Sequence, residues 1–157
     1  MAPFERVVDQ HGPMVWRVCR SMLPPADADD AWSDTFLAAL RAYPGLRPDS
    51  NVAGWLATIA HRKCLDIHRR RRRAPIGLAA VDDITVDAPD PLGPDGALLS
   101  ALGGLSQQQR TAVVLHHVGG VPHAEVAAYL GISAAAARRS AADGIARLRT
   151  SYRKDDR

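Results

Sequence analysis

Residues 74–97 constrain the fold of this 157-residue chain more than any other stretch, because they cannot join a packed core. They hold Pro75, Pro89, Pro91 and Pro94, glycines at 77, 93 and 96, and the aspartates Asp82, Asp83, Asp87, Asp90 and Asp95. Prolines remove backbone donors, and carboxylates at this density resist burial. The segment reads as an acidic, flexible or extended tether, with a random-coil reach of roughly 25–30 Å. The flanking sequence then folds as two small units.

Charge is segregated in the same place. Five consecutive arginines, Arg69 to Arg73, precede the tether, and no Lys or Arg occurs from Ala74 to Gln109. The net charge of +3 is modest, so the distribution carries the information. The arginines close a segment, Trp55 to His68, in which Leu56, Ile59/Ala60, Cys64 and Ile67 recur at helical steps. The opposite face carries Thr58, Arg62, Asp66, Arg69 and Arg73. A helix with one apolar stripe and one arginine-lined face suits a polyanion. A solvated helix end or a non-specific RNA or membrane-surface patch would show the same arginines.

The N-terminus lacks a basic start followed by an apolar run, and no stretch approaches the roughly 18 apolar residues of a membrane span. A cytoplasmic protein without membrane insertion is expected. Cys19 and Cys64 lie on apolar helical faces and read as reduced core thiols, with a disulfide or redox switch as the alternative.

Nearly everything outside the tether has helical periodicity. Phe4, Val7/Val8, His11, Val15, Val18/Cys19 and Met22 define a first helix, with a break or kink expected at Gly12-Pro13. A second runs from Asp27 to Tyr43, with aspartates in its first turn, and a turn-rich loop spans Pro44 to Asn51. The arginine helix follows, from about Val52 to Arg72. Beyond the tether, helices are expected around Gly96 to Leu102 and after Ser106, where Ser106 and Gln109 fit a capping box. Gly119-Gly120 end the latter, and a short helix runs from Pro122 through Leu130. Ser133 caps a last helix from Ala134 to about Tyr152.

The segment from His123 to Ala137 has helix-turn-helix spacing. Ala127 is small where two helices cross, Gly131 supplies a positive φ at the turn, and Val126, Leu130, Ile132 and Ala137 fill the space between. In DNA-binding versions the second helix enters the major groove; a plain helical hairpin is the alternative. Enzyme chemistry finds no support. His116 and His117 are adjacent and point to different faces, and neither a glycine-rich phosphate loop nor a metal-spaced Cys/His cluster is present. No cofactor is expected.

Three segments in order resemble the bacterial RNA polymerase sigma factors of the small, two-domain extracytoplasmic-function group. Asp27-Ala-Asp-Asp30-Ala-Trp-Ser-Asp34-Thr-Phe-Leu37-Ala-Ala-Leu40 resembles the helix with which they grip the polymerase clamp. Ala53-Gly-Trp55-Leu-Ala-Thr-Ile-Ala60-His-Arg-Lys-Cys-Leu-Asp66 and the arginines resemble their promoter −10 helix. The segment from Ala101 to Leu115, with the helix-turn-helix, resembles their −35-binding domain. The resemblance covers residues 4–73 and 97–150 and implies residue roles. Asp27, Asp30, Asp34 and Leu37, on one helix face, would contact core polymerase at the clamp of its largest subunits. Arg47, Asp49, Ser50 and Asn51 would hold a base flipped from the opened strand. Trp55 would wall the strand junction or pack in the core. His61, Arg62, Lys63, Arg69, Arg70 and Arg73 would complete the −10 surface, and Ser133, Ala135, Arg138 and Arg139 the −35 surface.

The chain departs from the family pattern in places. His61-Arg62 stands where Arg-Asn is frequent. A recognition helix resembling Gly-Thr-Val-Lys-Ser-Arg-Leu-His-Arg-Ala is replaced by Ala135-Ala-Ala-Arg138-Arg139-Ser140-Ala-Ala-Asp143-Gly144. Asp143 would repel phosphate and Gly144 costs about 1 kcal/mol of helix propensity, which suggests weak −35 binding. The tether's aspartates could mimic a nucleic-acid backbone or simply solubilise.

The fold expected is all-α: a sigma domain 2-like helical bundle over 1–73, an acidic linker over 74–96, and a sigma domain 4-like helix-turn-helix domain over 97–157. The expected function is that of a sigma factor: no catalysis, but binding to core RNA polymerase and promoter-specific initiation. Its partners would be duplex and melted promoter DNA and, by resemblance, an anti-sigma factor. The alternatives are a stand-alone helix-turn-helix regulator and a degenerate sigma-like interaction module.

Overall fold

The fold is seen in a computed structural model that describes residues 2–73 and 93–155. The acidic tether lies outside the described residues from 74 to 92. Every described element is helical, and no described helix is long and apolar enough to cross a membrane.

The N-terminal unit is a bundle of α1 (Phe4–Arg20), α2 (Pro25–Ala42) and α3 (Val52–Arg73), with a 3-10 turn at Tyr43–Gly45. The α3 stripe is buried as its periodicity implies: Leu56, Ala60, Cys64 and Ile67 meet Val15, Val18, Cys19 and Met22 in one core. Both cysteines are free and buried. The hydrogen bond with Cys19, together with burial, pushes the Cys64 thiol up, so the pair behaves as core packing.

Of the break or kink expected at Gly12-Pro13, the break does not occur; α1 runs through both residues. Pro13 is exposed, and so is Asp9, whose carbonyl loses its helical donor, leaving that group to water. Gly12 is buried, and its carbonyl accepts the Trp32 indole N–H at 3.0 Å. Trp32 stacks at a tilt on Phe36, and Phe36 meets Phe4 edge-on, which fixes α2 across α1.

The C-terminal unit comprises α4 (Gly93–Gly103), α5 (Gln107–Val113), a π turn (Val114–Val118), α6 (His123–Leu130) and α7 (Ala134–Asp155). Thus α4 starts inside the expected linker, three residues before Gly96, with Pro94 in its first turn, where a missing N–H costs nothing. Ser106 and Gln109 form the capping box. The π turn is closed by Gly119 N–H donating to Val114 O at 3.0 Å. Gly131 takes φ +70° at the helix-turn-helix corner, and Ser133 Oγ accepts from Ala136 N–H at 3.1 Å. His123 is half-buried and stacks on His116 at 3.6 Å between ring centroids.

Gly144 has a packing reason that the sequence hides. It is buried where α7 crosses α5, and a Cβ there would lie 2.5 Å from Val113 Cγ2. The helix-propensity deficit is the consequence of a close crossing. Gly144→Ala should therefore lower stability by about 1–2 kcal/mol, because overpacking against a β-branched neighbour outweighs the ~1 kcal/mol propensity gain. A rise in thermal midpoint would show that the crossing is slack.

The two units are not held apart. The π turn packs against α1 and α3, and Ala57 of α3 is fully buried in a core shared with Leu115 and Val121.

Candidate nucleic-acid interface

Three surfaces collect the residues that the sequence singled out. The first is the outer face of α2. Leu37 and Leu40 are 53% and 51% exposed, and they are the large hydrophobics that stand out in this way among the described residues. Asp30 is exposed beside them and Asp34 is half-buried. Asp27 does not belong to this face. It is only 7% exposed, and its carboxylate accepts from Arg71 Nη2 at 2.5 Å. The α2 N-terminus faces the C-terminal arginines of α3, and Asp27 neutralises one of them.

The second surface is built by α3 and the loop before it. Asn51 Oδ1 accepts from Gly54 N–H at 3.2 Å, and Asn51 O accepts from Trp55 N–H at 3.0 Å. Asn51 therefore caps α3, so its carbonyl is committed to the helix. Around it lies an open cleft lined by Leu46, Arg47, Asp49, Ser50, Asn51, Gly54, Trp55, Thr58, Arg62 and Glu125. It brings together all four loop residues expected to hold a flipped base, with half-buried Trp55 as one wall. Thr58 donates its hydroxyl back to Gly54 O at 2.9 Å, so it lines the cleft mainly with its methyl group. A second cleft, between α2 and α3, is lined by Asp34, Lys63, Asp66, Arg69 and Arg70. Arg69 is tethered to Asp66 at 3.6 Å, an exposed pair worth little on its own. Arg62 and Arg70 are exposed and Lys63 is half-buried. Arg73 ends α3, and its side chain lies outside the described residues.

His61 departs from expectation. It lies on α3 among these groups but is only 2% exposed. The C-terminal unit covers it: Tyr129 Oη is 2.7 Å from Nδ1 and Thr111 Oγ1 is 3.3 Å from Nε2. A neutral imidazole accepts at one nitrogen and donates at the other, and the two hydroxyls can rotate to match. Arg62 lies over the Tyr129 ring at 5.3 Å. Sequence reasoning missed Tyr129, Thr111 and Glu125 because no local pattern signals a contact across such separations.

The third surface is the start of α7. Ser133, Ala135, Arg138 and Arg139 are all exposed, as is Asp143. Ala137, Ser140, Ala141 and Gly144 turn inward, and Ser140 Oγ accepts from Gln108 Nε2 at 2.8 Å. The start of α7 thus presents two arginines on a packed support.

Burial, and then the positive charges of Arg62, Arg110 and His68, lower the His61 pKa from 6.5 to about 4. The sign follows: packing over neutral His61 is at full strength above pH 6.5 and is lost as pH falls toward 4. An NMR titration of the imidazole should show a midpoint near 4. A midpoint at the ordinary 6.5 would mean that the C-terminal unit does not cover it.

Comparison with known proteins places these surfaces in a family. Residues 7–74 match Sigma-70 region 2, and residues 95–148 match Sigma-70 region 4. RNA polymerase sigma factor CarQ of Myxococcus xanthus is 34% identical, over 93% of this chain and 87% of its own. CnrH of Cupriavidus metallidurans is 32% identical, over 83% and 76%. ECF RNA polymerase sigma factor SigM of Mycobacterium tuberculosis is 31% identical, over 92% and 74%. CnrH in complex with the cytosolic domain of CnrY superimposes with a TM-score of 0.70, 29% identity and coverage of 97% and 88%. Sigma factor RpoE of Bartonella quintana, in complex with the anti-sigma factor NepR, shares the fold with a TM-score of 0.73, 22% identity and coverage of 96% of each chain. The chain belongs to the extracytoplasmic-function RNA polymerase sigma factors, initiation factors built from a region 2 and a region 4 unit.

Proposed function

We propose that the three surfaces divide the work of promoter-specific initiation. The face of α2 carrying Asp30, Asp34, Leu37 and Leu40 docks on the clamp of core RNA polymerase. The cleft of Arg47, Asp49, Ser50, Asn51 and Trp55 captures an unpaired base of the −10 element. Arg62, Lys63, Arg69, Arg70 and Arg73 hold the phosphates of that strand. Ser133, Ala135, Arg138 and Arg139 meet the −35 duplex. The chain itself catalyses nothing; melting is driven by capture of bases that duplex DNA hides.

One observation carries this reading. Within a single region 2 unit, two exposed leucines on α2 and a polar cleft lined by Arg47 and Arg62 stand on neighbouring helices. Exposed leucines beside carboxylates suit a protein groove, and cations beside a polar cleft suit an opened strand. A stand-alone regulator has no use for the first. A decayed module is the weaker reading, since Gly144 serves the α5–α7 crossing. By the same family relation, an anti-sigma factor is the proposed regulator, and the interior of the cell is the proposed site of action. The boundaries proposed for the units are 1–73 and 97–157, the second extended back to Gly93 because α4 begins there, with the acidic segment between them.

Run-off transcription with core polymerase on a fragment library should yield discrete new start sites that depend on this protein. Failure to associate with core polymerase would remove the reading. Leu37→Asp with Leu40→Asp should weaken polymerase binding at least about tenfold, as expected for centrally buried apolar contacts. Replacing Arg69 and Arg70 by Ala should reduce the salt slope of single-strand binding by roughly 1.4, two phosphate contacts at about 0.7 each. An unchanged slope would place the phosphates elsewhere.

A further inference from the structure

The contacts between the two units bear on what covers α3 when DNA does not. Glu125 and Tyr129 are four residues apart on α6 and share a face. Glu125 lines the cleft of residues 46–58, with its Oε2 3.6 Å from where a Cβ on Gly54 would stand. Tyr129 bonds His61, meets its ring edge-on at 5.3 Å, and lies beneath the Arg62 guanidinium. Below them the end of the π turn rests on α3, where a Cβ on Gly119 would lie 2.5 Å from Ala57 Cβ. α6 therefore borders the open cleft with Glu125, covers His61, and sets the Tyr129 ring under the exposed Arg62 guanidinium.

We infer that α6 is an internal occupant of the strand-binding face of α3, so that closure of the two units and capture of a −10 strand exclude each other. Tyr129 takes the place of a base, since an aromatic ring under a guanidinium is the arrangement a stacked base would make. Glu125 takes the place of an anionic or carbonyl acceptor at the polar cleft. The contact joins an apolar seam, where Ala57 shares a core with Leu115 and Val121, to a polar edge of two hydroxyl–imidazole bonds and one cation–π pair. The polar edge, where α6 meets α3, resembles a transient interface more than a permanent core. The chain closes when unoccupied and yields when the strand or the polymerase engages. This inference rests on the reading of α3 and its loop as the −10 site.

The test uses the intact chain and two readouts: the radius of gyration by small-angle scattering, and the affinity for a fluorescein-labelled, random-sequence single-stranded DNA pool. Gly119→Ala places a methyl group against Ala57. It should increase the radius of gyration and raise affinity by roughly the inverse of the open fraction, about tenfold if one molecule in ten is open. Adding Ala57→Gly removes the opposing methyl group and should restore both values. Tyr129→Ala should act in the same direction without touching the π turn, and the helical circular-dichroism signal checks that each variant is folded.

Equal DNA affinity in all four proteins would overturn the inference and leave the −10 reading standing. A Gly119→Ala variant that changes neither readout would overturn it in the same way. No DNA binding even by the opened variants would bring down the −10 reading, and the inference with it.

Discussion

The burial of one stripe of α3 is the interaction on which the rest depends. Leu56, Ala60, Cys64 and Ile67 are sealed against α1 and α2, each larger side chain contributing about 1.5–3 kcal/mol when removed from water. That anchorage fixes the rotation of the helix about its axis. With the stripe inward, the loop cleft faces one way, the Lys63–Arg70 cleft faces α2, and His61 is turned toward whatever lies beyond the bundle. A helix carrying five terminal arginines would otherwise have little reason to hold one orientation.

The arginines themselves are managed unequally. Arg71 is spent on the bundle through Asp27, and Arg69 leans on Asp66, whereas Arg62 and Arg70 stay exposed. The acids that meet the basic run, Asp27 from α2 and Asp66 one turn earlier on α3, are thus partly structural. Asp27 shows why a pattern of like residues at helical spacing does not assign one role to all its members. The first of the series meets the end of another helix, and the others do not.

The C-terminal unit follows a similar logic on a smaller scale. Small residues permit close crossings: Gly144 against Val113 holds α7 on α5, and Gly119 against Ala57 lets the π turn settle on α3. In the sequence both glycines look like punctuation or loss of helix strength. In the structure each marks a place where a neighbouring side chain, Val113 or Ala57, lies too close to the backbone for a Cβ.

Local physics made much of this legible in advance. Helical periodicity gave α1, α2, α3 and the helix-turn-helix; the capping box at Ser106 and Gln109, the left-handed Gly131 and the Ser133 cap were readable because their partners lie within a few residues. The loop residues Arg47, Asp49, Ser50 and Asn51 were singled out by the family resemblance and not by local physics; they line one cleft because they are neighbours along the chain. What the sequence could not show is whatever depends on groups far apart along the chain: the burial of Asp27 by Arg71, the passage of α1 through Pro13 with Trp32 at Gly12, and the covering of His61 by Thr111 and Tyr129. Sequence alone determined the elements and their chemistry, because hydrogen bonds and side-chain spacing along a helix are local. Only the tertiary structure decided which charged face is free and which is covered, because that depends on surfaces brought together by packing.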